Sequence, residues 1–201
     1  QSRVFHFGSV SMTDEPARSA TLFAARYARE HGLTVSYDPN LRRNLWSDEQ
    51  TARQYIREGL NFCDVAKLSD EECTFLCGDG EIDALGRRLL AEHPNLKLLF
   101  VTCGAGGSYA FCGSRMAFVP GFSVKIADTT GAGDAFVGAV LYQILRRGGL
   151  REAYSPAELE QLLTFGNAVG ALSVQRYGAI PAIPTLAETE SFLHAQGLLG
   201  A

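Results

Sequence analysis

A chain of 201 residues, 46% hydrophobic and 20% charged, has the composition of one packed domain or of part of a larger one. A net charge of -4 without any basic run argues against a nucleic-acid or membrane-surface binder. No apolar stretch reaches membrane-spanning length and no signal peptide is visible, so a cytoplasmic protein is expected.

The chain opens without Met or a lead-in, and "VFHFGSV" already alternates like the inside of a strand. An N-terminal segment is therefore expected to be missing. Val4–Gly8 reads as a short strand, and Pro16 as the first position of a helix through "ARSATLFAARYAREH", stopped at Gly32. "TVSYD" is the next strand and runs into the turn "PNLRRNLW". A helix over about 48–59 leads to the strand "CDVAKL" and to one further helix opened by Ser69. "KLLFVT" is apolar almost throughout, as in a strand covered on both faces. "GAGG" (104–107) turns the chain, and "SYAFCG" with "MAFVP" reads as a small antiparallel excursion before "VKIAD".

The helix after "GAGD" sets Phe136, Val140 and Ile144 on one stripe, with Val137 and Leu141 beside it. Arg146 and Arg147 suit its negative end, and Gly148-Gly149 stops it. Two more helices, about 156–175 and 185–197, flank "YGAIPAIP". Alternating strands and helices predict an α/β fold with a mostly parallel sheet, in one domain without repeats or linkers. The five cysteines (Cys63, Cys73, Cys77, Cys103, Cys112) include no C-x-x-C pair and read as buried, reduced thiols. The four histidines are scattered, so a histidine-rich metal site has little support.

"DTTGAGDAFVGAV" (128–140) concentrates the chemistry. Gly131 and Gly133 let backbone approach a ligand, and the amides of Gly131, Ala132, Gly133 and Asp134 are helix-start donors that bind anions. The stretch is no P-loop, lacking G-K-[ST], and Phe136 spoils a dinucleotide fingerprint. An acid in the first helical turn is favourable in any case, so the residues alone leave a capped helix start and an anion site both open.

The stretch nonetheless resembles the C-terminal signature of the ribokinase/fructokinase (PfkB) family of sugar kinases. "SYDPNLRRNLW", "AKLSDEE", "LLFVTCGAGGSYAF" and "GNAVGALSVQRYGAIPAIP" follow the family's order along the chain. The pair "DPNLR" and "KLSDEE" is similar to the bacterial fructokinase branch in particular. The resemblance implies a ribokinase-like, Rossmann-like three-layer sandwich with helices on both sheet faces. It implies transfer of the ATP γ-phosphate to a sugar hydroxyl, with Asp134 as general base and Gly131, Ala132 and Gly133 as anion hole.

By the same resemblance Asn40 lies near the nucleotide phosphates and Arg42 near the substrate, although D-P-N also reads as a plain turn. Lys67 would face the nucleotide. Glu72 would order Mg²⁺ and water, although Ser69 and Glu72 also form a capping-box pattern. Thr102, Gly104 and Gly107 would wrap the nucleotide, and Asn167 would touch adenine, although a Gly-rich turn and a satisfied core amide explain them as well. Asp128, Thr130, Ser173, Gly178 and Ala182 mark the regions that in the family supply mostly carbonyl oxygens to a monovalent cation, usually K⁺.

The family's sugar-binding N-terminal half and β-stranded lid are not visible, so residues 1–201 read as its C-terminal nucleotide-binding and catalytic portion. The expected partners are ATP and a small sugar, with no nucleic acid or membrane and with homodimerisation of the complete protein left open. Fructose is the expected acceptor. A related kinase for another sugar or a riboside, and a non-catalytic nucleotide- or partner-binding fragment, stay open.

Overall fold

The computed structural model describes residues 2–198. Strands β1 (Val4–Phe7), β2 (Thr34–Tyr37), β3 (Val65–Ser69), β4 (Leu98–Thr102), β5 (Ser108–Cys112) and β6 (Arg115–Val119) form one mostly parallel sheet in that order. Among the described residues there are seven α-helices: α1 (Ala17–Glu30), α2 (Glu49–Leu60), α3 (Asp70–Cys77), α4 (Ile82–Glu92), α5 (Ala132–Arg146), α6 (Pro156–Ser173) and α7 (Leu186–Ala195). The α/β class expected from the sequence is thus observed.

β1 and β2 run parallel with Phe7 opposite Tyr37, and β2 and β3 run parallel with Ser36 opposite Val65. Only Gly113 and Ser114 join β5 to β6. So short a connection permits antiparallel pairing alone, which gives the predicted excursion. In β4, Leu98, Leu99, Phe100 and Val101 are all 0% exposed, which is why this strand has no polar alternation. Each large side chain so buried contributes about 1.5–3 kcal/mol.

The chain divides into two compact units. One runs to Val101 and includes Ala110–Met116 and Arg151–Ala153. There the Phe7 ring stacks on Tyr37 at 4.5 Å, and Tyr37 is fully buried. The other unit comprises Thr102–Tyr109, Ala117–Leu150 and the chain from Tyr154 onward, with α5 packed on α6. In α5 the expected stripe is buried at Phe136, Val137, Val140 and Ile144, while Leu141 is half-buried.

Two details depart from the sequence expectations. Pro16 sits at the cap, one position before the helix it was expected to begin. The single helix expected after Ser69 is two, because Gly78 at φ 85° ends α3 and the chain restarts as α4 at Ile82. Caps fix the other starts: Asp48 accepts the Thr51 amide, and Ser69, Ser155 and Thr185 each form a capping box with the acid three residues on. A cap of this kind contributes about 0.5–2 kcal/mol. All five cysteines are free thiols; Cys63, Cys73 and Cys112 are buried, whereas Cys77 and Cys103 are half-buried.

Candidate active site

In the first unit the turn after β2 is held from beneath. The Pro39 carbonyl accepts both the Ser9 amide, at 2.9 Å, and the Ser9 hydroxyl, at 2.6 Å. Asn40 adopts φ 52°, a left-handed conformation that asparagine tolerates better than most residues. Glu72, nearly buried, ties this turn to α3. Its Oε1 accepts the Leu41 amide at 2.7 Å and its Oε2 accepts the Ser69 amide at 2.8 Å. The capping reading of Ser69 and Glu72 is therefore realised.

Lys67 is also buried, and its Nζ lies 3.2 Å from Asp38 Oδ2. Burying such a charge is tolerable because the partner is buried beside it. Arg42 is exposed, and among the described residues its guanidinium rests on the Asn40 and Leu41 carbonyls, at 3.5 and 3.3 Å. Asn40, Arg42, Lys67 and Glu72 together line a cleft of about 350 Å³.

In the second unit α5 begins from Gly131 at φ 79°, a conformation that suits glycine because a Cβ would strain it. That start aims the first-turn amides outward. Ala132 makes one long bond, 3.3 Å, to the Thr129 carbonyl. The amides of Gly131, Gly133 and Asp134 find no acceptor among the described residues. Open amides in a helix's first turn attract anions, with the helix dipole adding to the effect. Asp134 is exposed, and its carboxylate has no hydrogen bond or ion pair among the described residues.

Ala132 and Gly133 face a cavity of about 420 Å³, within the usual range for small-molecule sites. Thr102, Gly104, Gly107 and Asn167 line the same cavity, so these sequence-predicted residues converge. Gly107 has φ 116°, and a Cβ there would meet the Val119 carbonyl at 2.2 Å. The turn "CGAGG" therefore lies backbone against backbone. Asp134 instead opens onto a groove of about 240 Å³ with Tyr142, Phe165, Ile183 and Leu186. The first turn of α5 thus borders both openings, Ala132 and Gly133 on the larger and Asp134 on the smaller.

Asn167 is satisfied internally: its Oδ1 accepts the Ser108 hydroxyl at 2.7 Å, and its Nδ2 donates to the Val119 carbonyl at 3.1 Å. It borders the cavity with its polar atoms already engaged. The sequence reading missed the apolar wall of Phe122, Val124 and Ile126. The signal was present as alternation in "GFSVKIAD", but these residues form no strand. Gly121 was missed as well; a Cβ there would meet the Ala105 carbonyl at 2.4 Å.

Asp128 joins two distant turns. Its Oδ1 accepts the Thr130 hydroxyl at 2.7 Å and amide at 2.9 Å, and its Oδ2 accepts the Gly178 amide at 3.0 Å. The Thr130 hydroxyl above all, then the Gly178 amide, holds the Asp128 carboxyl below its ordinary value. The Ser173 hydroxyl is spent on the Gly170 carbonyl at 2.8 Å, and Ala182 lies buried in the same late turn. Among the described residues no three His, Cys, Asp or Glu side chains cluster to hold a metal ion. The side chains of Asp128 and Ser173 are thus already hydrogen-bonded within the protein.

Comparison with known proteins bears on the family and the fold. The pfkB family carbohydrate kinase model matches residues 1–186. A fructokinase of Solanum tuberosum is 45% identical over 192 residues, 96% of this chain and 56% of that protein. The fructokinase of Vibrio cholerae O395, solved in fructose, ADP and calcium ion bound form, superposes with TM-score 0.84 at 35% identity. That match covers 94% of this chain and 60% of the other. Aminoimidazole riboside kinase of Salmonella enterica, complexed with aminoimidazole riboside and an ATP analog, superposes with TM-score 0.81 at 32% identity, covering 94% of this chain and 62% of that one. The chain therefore spans less than two thirds of the length of these relatives. With its family model matched across nearly the whole sequence, the chain belongs to the pfkB family of carbohydrate kinases.

Proposed function

We propose that this chain is the nucleotide-binding and catalytic portion of an ATP-dependent sugar kinase that phosphorylates fructose. The observation that carries the reading is the first turn of α5, where the unpartnered Asp134 carboxylate sits next to three amides without acceptors. Phosphoryl transfer asks a protein for positioning and charge neutralisation, and this turn offers both. The amides of Gly131, Gly133 and Asp134 stabilise the oxygens of the phosphoryl group in flight, with Ala132 contributing as its long bond yields. Asp134 takes the proton from the attacking sugar hydroxyl and holds it at a carboxylate oxygen.

The cavity bounded by Ala132 and Gly133 receives the nucleotide, its adenine against Phe122, Val124 and Ile126 and its phosphates towards Thr102, Gly104 and Gly107. Because Asn167 is already hydrogen-bonded, it supports the wall and does not read the base. Asn40 and Lys67 are assigned to the phosphates, and Arg42 to the acceptor or the transferring group. Glu72 has one amide on each oxygen, which orients its carboxylate, and its remaining lone pairs would order water and Mg²⁺ near the phosphates. Mg²⁺ is assigned to the phosphate oxygens of the nucleotide, where it offsets their charge. The carbonyls around Asp128, Thr130, Ser173, Gly178 and Ala182 are assigned to K⁺; the Asp128–Gly178 link supports this by pinning the two turns together.

Fructose is chosen because the plant relative and the Vibrio neighbour are both fructokinases. A second reading, a riboside acceptor, is favoured by the aminoimidazole riboside kinase neighbour. An assay of ATP-dependent phosphorylation by the full-length protein over a panel of hexoses, pentoses and ribosides separates them. Preference for fructose is expected. Preference for a riboside would reverse the assignment of acceptor, and nucleotide binding without transfer to any of them would contradict kinase activity.

A further inference from the structure

Two stretches of backbone beside the larger cavity lie directly against each other: the turn after β4 (104–107) and the segment leaving β6 (119–121). A Cβ at Gly107 would meet the Val119 carbonyl at 2.2 Å and Pro120 Cα at 2.7 Å. The Gly121 amide donates to the Gly106 carbonyl at 3.3 Å, a length at which a hydrogen bond holds little by itself.

Asn167 of α6 ties the two stretches together. Its Oδ1 accepts the Ser108 hydroxyl at 2.7 Å, at the start of β5 and directly after the turn. Its Nδ2 donates to the Val119 carbonyl at 3.1 Å and to the Pro120 carbonyl at 3.3 Å. These partners fix which way the amide points. Carbonyls only accept, so the nitrogen must face Val119 and Pro120, and the oxygen is left for the Ser108 hydroxyl. Neither leucine nor aspartate could serve all three partners, since one has no polar atom and the other no donor when ionised.

Asn167 borders the cavity as well. Gly170, Ala171 and Val174 follow it at helical spacing and line the same cavity, and Asn167 is the polar side chain among these four. An amide with open valences there would suit reading the edge of a base, but both its oxygen and its nitrogen are turned to protein groups. Ser108 is 0% exposed and beyond a ligand's reach.

We propose that, in the cavity assigned above to the nucleotide, Asn167 is a positioning residue that latches the turn at 104–107 to the segment at 119–121 through Ser108, Val119 and Pro120. This role rests on that assignment of the cavity. The latch keeps the glycine turn at a set distance from Phe122, the next residue along the wall. Without it the two stretches separate, and every nucleotide is bound less well whatever the edge of its base.

The test uses the full-length protein with Asn167→Leu and Ser108→Ala. In the nucleotide-free state, hydrogen exchange at the Gly121 and Cys103 amides, which bond to the Gly106 and Gly107 carbonyls, should quicken in both variants. The KM for ATP should rise about tenfold in Asn167→Leu, the scale of coupling within one hydrogen-bond network, while kcat and the KM for the sugar hold. The same loss is expected with ITP, which differs from ATP at the N1–C6 edge of the base. Ser108→Ala should act in the same direction, and the double variant should lose less than the two losses combined. Unchanged exchange in both variants would overturn the latch whatever the nucleotide does. Quickened exchange with an unchanged KM for ATP would instead overturn the nucleotide assignment of the cavity, and the positioning role with it. A loss confined to ATP would show a direct contact with the base and overturn the proposal.

Discussion

Glu72 shows how one side chain satisfies a structural and a site demand together. Each carboxylate oxygen accepts a backbone amide, one from the turn after β2 and one at the start of α3. Glu72→Ala strands both donors, and stability should fall by about 1–3 kcal/mol, since part of that loss is recovered from water. The check is a lower urea midpoint with an unchanged slope. The S-x-x-E spacing made the Ser69 bond readable in advance, but the Leu41 bond joins residues 31 apart and left no trace in the sequence.

A second residue-scale prediction concerns Glu188, the capping acid of α7. The Arg176 guanidinium at 2.5 Å, followed by the Thr185 amide and hydroxyl, pulls its carboxyl from 4.5 to about 2. A depressed folded value stabilises the native state above pH 4.5, and that contribution fades as pH falls through about 2. A native-state NMR titration should find the Glu188 midpoint near 2, rising in Arg176→Ala. An unchanged midpoint in that variant would remove Arg176 as the cause.

At the scale of elements, α5 depends on the fit of α6 against it. A Cβ at Gly166 would lie 2.6 Å from the Phe136 ring and 3.1 Å from Val140, both buried. Gly166→Ala should therefore destabilise by about 1–3 kcal/mol before the roughly 1 kcal/mol helix-propensity gain is counted. Gly138, in the middle of α5, has nothing within 4 Å of its Cβ position, and Gly138→Ala should stabilise by about 0.5–1 kcal/mol. Thermal melts should move in opposite directions for the two variants. Helical periodicity exposed the buried stripe of α5, and Gly148-Gly149 marked its end. It did not expose the break between α3 and α4, because Gly78 and Gly80 lie in a short polar stretch that also suits a helix surface. Nor did it reveal that residues 122–126 alternate to wall a cavity without joining the sheet.

At the scale of the whole molecule, strand and helix alternation was enough for the α/β class, and five ordered motifs for the family. Backbone-on-backbone contacts depend on conformation and leave almost no side-chain signature, so Gly121 was hard to read in advance. The carbonyls assigned to K⁺ lie in the two turns that Asp128 joins, beside the open amides of α5. The full-length protein should accordingly turn over faster when Na⁺ is exchanged for K⁺ at constant ionic strength, and equal rates across the titration would count against that site.

The central claim is that Asp134 serves as general base beside an amide anion hole. Its most direct test compares sugar-dependent ADP formation by the full-length protein with that of Asp134→Asn, alongside nucleotide affinity. Turnover should fall about 10²–10⁴-fold. Nucleotide affinity should hold, because the amides remain and one repulsive charge is gone. A folded Asp134→Asn protein with near-normal turnover would contradict the account.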